Sequence, residues 1–100
     1  MKYEIEDFDD FLLSEDFEAK RLGWIMVRKS INPSKLTLDE LFYLRIKLEK
    51  LQYFGYLIPE RTFFKISIEK SISRYSKMAR INANYRAQKL IKNDSKVSNK

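Results

Sequence analysis

Apolar positions recur with a helical period along most of the chain, most clearly between Leu36 and Ile58. Leu41, Leu44, Leu48 and Leu51 follow one another at spacings of three, four and three residues, one stripe of an α-helix. Thr37 with Glu40 is a capping box: the threonine hydroxyl takes an orphan helix N–H, and the glutamate reaches back to the N–H of the cap. Gly55 is placed to close the same helix in the left-handed conformation, so a central helix is expected over about 37–55. At about 100° per residue, Phe42, Ile46 and Tyr53 form a second apolar stripe roughly 160° from the leucines. A surface helix needs one apolar face, and this one has two. It is predicted to lie between neighbours or to be shared with a second subunit, with Phe42, Leu44, Ile46 and Leu48 all covered.

Weaker elements flank it. Phe8, Phe11 and Leu12 suit a short amphipathic helix among the acids of residues 1–13. Ser14 is the expected N-cap of a helix from Glu15 to Lys29, with Glu15 and Asp16 at the end that favours negative charge. Gly23 weakens that helix, and Trp24 to Val27 also suits a short buried strand. Ser30 to Lys35 reads as a loop, because Pro33 disfavours helix at Asn32. Pro59 fits the first position of a new helix, with Glu60 beside it. From Phe64 onward, Ile68, Ile72, Tyr75, Met78 and Ala79 share one arc of about 120°, which continues through Ala83. The local competitor is a strand over Thr62–Ile68. Past Tyr85, Arg86 and Lys89 fall on the apolar arc, so the helix is expected to leave the core there. Residues 1–92 read as one helical domain, and 93–100 as a frayed polar, basic tail.

Composition narrows the chemistry. One hundred residues with 44% apolar content make one domain with a modest core. Cysteine and histidine are both absent. That removes thiolate metal sites, disulfides, the commonest general base and the commonest transition-metal ligand. No stretch approaches the roughly 20 apolar residues of a membrane span, and the N-terminus is acidic where a secretory signal is basic. A cytoplasmic protein is expected. The net charge of +6 conceals a strong asymmetry. Residues 1–18 hold eight acids against Lys2, whereas the remainder holds nineteen bases against six acids.

Candidate chemistries are few. Asp7, Asp9 and Asp10 lack the spacing of a calcium loop and read as a solvated acidic face. No phosphate-binding glycine loop and no nucleophile elbow is present. Glu18 to Trp24 has the small residue and the glycine four positions later that mark a helix-turn-helix. However, Glu18 stands where an apolar residue belongs, Lys29 stands where a β-branched one does, and Pro33 closes the window early. Lys47 to Ser67 is similar to the end of a recognition helix followed by a β-wing in winged-helix regulators. No Gly or Pro separates two helices between Leu38 and Leu51, so a winged-helix-like α+β fold is the minor alternative.

The strongest signal is basic. On one continuous helix, Lys70, Arg74 and Lys77 lie within about 60°, and Arg80, Asn84, Gln88 and Lys92 extend that side. The stripe from Lys70 to Lys92 would run about 33 Å, long enough to follow several phosphates.

These readings predict an all-α bundle of three or four helices around the central helix, with a long basic C-terminal helix. The expected function is a non-enzymatic binding module without cofactor or metal. A nucleic-acid-associated regulator or accessory factor would contact phosphates through Lys70, Arg74, Lys77, Arg80, Arg86, Lys89 and Lys92. The alternative is a protein-directed inhibitor, immunity or adaptor factor of the phage or plasmid kind. It would bind a host protein, or a second copy, through Phe42, Ile46 and Tyr53.

Overall fold

Capping chemistry sets where the helices begin. In the computed structural model, which describes residues 4–51 and 57–98, the α-helices are α1 (Asp9–Leu12), α2 (Phe17–Ser30), α3 (Leu38–Lys50), α4 (Pro59–Ile72) and α5 (Lys77–Ser98). Short 3-10 turns precede α1 at Glu4–Phe8 and α3 at Pro33–Lys35. No strand occurs among the described residues, and Thr62–Ile68 lies within α4. The fold is all-α. The α+β alternative is not adopted, and Trp24–Val27 is helix.

The capping box at Thr37 forms as expected. The Glu40 N–H donates to Thr37 Oγ1 at 3.2 Å, and the Thr37 N–H donates to Glu40 Oε1 at 2.9 Å. Pro59 is the first residue of α4. The cap of α2 is Asp16, whose carboxylate accepts from the Ala19 N–H at 2.9 Å. The expected cap, Ser14, instead accepts from the Asp16 N–H just before the helix. α3 stops at Lys50, with Leu51 as its C-cap, short of the expected end near 55. Gly55 and Tyr53 lie outside the described residues.

The principal correction concerns the C-terminal third. The expected continuous helix is two helices, separated at 73–76. The segment Ser73-Arg74-Tyr75-Ser76 supplies side chains that compete with helical hydrogen bonding. Ser73 Oγ donates to the Lys70 carbonyl at 2.7 Å, and Ser76 Oγ accepts from the Ala79 N–H at the start of α5. The break resets the helical phase. Tyr75 and Met78, expected in the core, are exposed, and Ala83, Ala87 and Ile91 point inward. α5 therefore stays on the core well past Tyr85, and its backbone remains helical to Ser98, through most of the expected tail.

Packing follows a simple spatial order: α1 on α2, α2 on α4, α4 on α3, and α3 on α5. α3 is sandwiched within the chain itself. Leu41, Leu44, Leu48 and Phe42 are buried, and Ile46 is half-buried against the core. On the α2–α4 side, the Trp24 and Phe64 rings meet at 6.1 Å. Buried Arg61 donates to the Leu48 carbonyl at 2.9 Å, satisfying one of the last acceptors of α3. None of the described helices is long and apolar enough to cross a membrane.

Gly23 has a structural use beyond its helical cost. A Cβ there would lie 2.8 Å from Phe11 Cβ and 3.0 Å from Leu12 Cδ2. The missing side chain is what lets α1 press onto α2. Gly23→Ala gains helix propensity in α2 but must push α1 away, and overpacking of this kind costs about 1–3 kcal/mol. A lower midpoint in urea denaturation is expected; an unchanged or higher midpoint would show that α1 yields freely.

Candidate nucleic-acid interface

The break between α4 and α5 creates a corner rich in cations. An open cleft of about 390 Å³ lies at this corner, lined by Phe42 and Arg45 of α3, by Glu69, Ile72 and Ser73 of the α4 end, and by Lys77, Arg80, Ile81 and Asn84 of α5. Its apolar floor comes from Phe42, Ile72 and Ile81, and its rim from Arg45, Lys77 and Arg80. Glu69 is the one acid among these lining residues, and it pairs with Arg45 at 3.0 Å. Arg80 is held along its own helix, with Nε donating to the Ser76 carbonyl at 3.4 Å. The positive end of α5 starts at the same corner, adding a partial positive charge to that of the side chains.

The seven basic residues expected on one stripe fall into three settings. Lys70 lies in the last turn of α4, Arg74 in the connecting turn, and Lys77 and Arg80 at the start of α5; of these, Lys77 and Arg80 line the cleft. Arg86 is engaged elsewhere: its Nε and one terminal nitrogen donate to the two Asp39 carboxylate oxygens at 2.9 and 2.8 Å. Lys89 and Lys92 are exposed on the outer side of α5, and the Lys89 ammonium lies 5.1 Å from the Tyr85 ring centroid. No straight 33 Å stripe exists, because the helix carrying it is broken. Arg45 is the residue that helical-wheel reasoning missed. It sits on α3, three positions after Phe42, and only the tertiary packing brings it to the corner.

The protein-interface candidates fare differently. Phe42 is 4% exposed and forms part of the cleft floor beneath α5, so the chain itself covers most of that face. Ile46 is half-buried, and Tyr53 lies outside the described residues.

The acidic head is held by Ile5 and Leu12 in the core and, among the described contacts, by Glu6. Glu6 Oε1 accepts from the Tyr43 hydroxyl and pairs with Lys47 Nζ at 3.3 Å. The neighbouring Asp9 carboxyl is pushed above its ordinary value of 3.8, first by burial and then by Glu6, with Lys47 opposing and Asp10 adding to the rise. Asp39 is held below 3.8, chiefly by its hydrogen bonds from Arg86, with the attraction of that charge adding to them against its own partial burial. Among the described residues, no group of three or more side chains is arranged to hold a metal ion.

Comparison of the chain with protein-family models, with curated proteins and with solved structures finds no match in any of the three.

Asp9 and Asp39 have opposite linkage to pH. A raised carboxyl binds its proton more tightly when folded, so Asp9 costs stability above pH 3.8, and the cost disappears as pH falls below it. Asp39 contributes stability above pH 3.8 that is lost as pH falls through its lower folded value. Asp9→Asn is expected to raise the melting temperature at neutral pH, and Asp39→Asn to lower it. Both differences should vanish in strong acid, as followed by circular dichroism.

Proposed function

We propose that the protein is a non-enzymatic nucleic-acid-binding module that holds the phosphate backbone at the α4–α5 corner. The observation that carries this reading is the convergence of Lys77 and Arg80 of α5 with Arg45 of α3, the last already paired with Glu69, on one open cleft, with Lys70 and Arg74 nearby in the chain. Cations drawn together against their mutual repulsion, with one acid already paired, favour a polyanionic partner. A four-residue turn between α4 and α5 also leaves the start of the second helix exposed, a connection used when a helix end approaches a duplex. Phosphate recognition of this kind is largely blind to base sequence. The role that fits is a regulator or accessory factor working in the cytoplasm.

The protein-directed alternative through Phe42, Ile46 and Tyr53 has less surface available, because Phe42 is buried. Arg86 contributes little to the proposed phosphate binding, since Asp39 already occupies its guanidinium.

Replacing Arg74 and Lys77 together by Ala should weaken binding to all duplexes by a similar factor. The slope of log affinity against log salt should become shallower by roughly 0.9 for each phosphate that is no longer neutralised. Arg86→Ala should leave that slope nearly unchanged. Thermal melts should show the double variant folded, because both side chains are exposed. A folded double variant with undiminished affinity and slope would overturn the reading.

A further inference from the structure

α5 is the last helix in the packing order and rests chiefly on α3; its opposite face carries an apolar stripe. Met78, Ile81 and Tyr85, at positions i, i+3 and i+7, are 68%, 53% and 63% exposed. Lys89 and Lys92 continue the same side. This is the pattern of an anchor helix laid into a groove. At the other end of the packing order, a second cleft of about 350 Å³ runs between α1 and α2. Its floor is Phe11, Ala19, Leu22 and Ile25, and its rim carries Asp16 and Glu18 with Arg21. Leu13, 63% exposed, and Asp10 stand on the same acidic segment.

We infer that the α1–α2 cleft receives the outer face of α5 from a second copy of this chain, giving a head-to-tail assembly. The partner that this cleft fits is a basic helix with apolar anchors at i, i+3 and i+7, and the chain itself presents one. The two surfaces are complementary in both respects: apolar floor against apolar stripe, and acidic rim against lysines. They belong to opposite ends of the packing order, with α4 and α3 between them, so one copy meets its own α5 poorly. The interface joins two different patches and is heterologous. It therefore propagates into open chains, or into rings where the rotation closes. The inference does not rest on nucleic-acid binding; it needs Met78, Tyr85, Lys89 and Lys92, none of which lines the corner cleft, and only Ile81 is shared with that cleft.

The test is sedimentation velocity on the full chain, freed of nucleic acid by nuclease, across protein concentration at low and at molar salt. Mass that grows with concentration at low salt and falls at molar salt is the expected result. Lys89→Glu with Lys92→Glu should abolish the growth, as should Asp10→Lys with Glu18→Lys. An equimolar mixture of these two double variants should restore association, because each supplies the surface that the other lacks. Tyr85→Ser, which leaves every charge in place, should weaken association without lowering the melting temperature. A monomer at every concentration would overturn the inference. So would association abolished in only one double variant, or a mixture that fails to recover while both variants remain folded.

Discussion

The fold turns on a single helix that has to be covered on two sides. α3 buries Leu41, Leu44 and Leu48 together with Phe42, and no one straight helix can lie over both sets. The chain that follows has to cross from one side of α3 to the other, and it does so by breaking at Ser73–Ser76. The magnitudes favour the break. Interrupting a helix gives up a few backbone hydrogen bonds, each worth about 0.5–1.5 kcal/mol net. Ser73 and Ser76 replace part of that loss through their own side chains. Leaving the Phe42 side of α3 in water would forgo about 1.5–3 kcal/mol for each large side chain left uncovered. Burial wins, and the turn is its consequence.

The same constraint accounts for which features were legible in the sequence. Thr37 with Glu40, Asn32 before Pro33, and Pro59 with Glu60 act through bonds within a few residues of themselves. Their effect could be read without knowing the fold; Thr37 and Pro59 are placed as read, while the expected loop after α2 contains a 3-10 turn at Pro33–Lys35 capped by Asn32. The two stripes of α3 were legible too, since periodicity needs only the helix itself. The break in the C-terminal third was not. Ile68, Ile72, Tyr75, Met78, Ala79 and Ala83 lie on one arc as a linear pattern, and nothing local forbids a continuous helix. Serines at 73 and 76 permit a break; only the need to cover α3 from both sides demands one.

The candidate site was legible in its residue types and illegible in its geometry. Lys70, Arg74, Lys77 and Arg80 were identified as basic residues on one side, but a stripe became a corner once the helix turned. Arg86 is paired with Asp39, forty-seven positions earlier, a pairing no spacing rule supplies. Arg45 was added by the packing of α3 against α5. Long-range ion pairs of this sort depend on which helices meet, so charge patterns along one helix overstate how many charges are available.

The break also decides what the molecule shows to its surroundings. Once α5 is rephased, small Ala83 and Ala87 face α3 and allow close approach, and the larger Met78, Ile81 and Tyr85 are left outward. At the opposite edge Gly23 plays a matching part: its missing Cβ seats α1 so closely on α2 that the acidic segment becomes a ridge beside an apolar cleft. The charge asymmetry of the sequence, acids in the first 18 residues and bases after, is thereby turned into separated surfaces. Only Glu6, bonded to Tyr43 and Lys47, ties the acidic segment to α3 by a charged side chain among the described pairs. A single half-buried pair at the surface is worth on the order of 1 kcal/mol, too little to draw the other acids of the segment across the molecule. The polarity therefore persists in the folded state, and it is this persistence, more than the net charge, on which the proposed binding of an anionic partner rests.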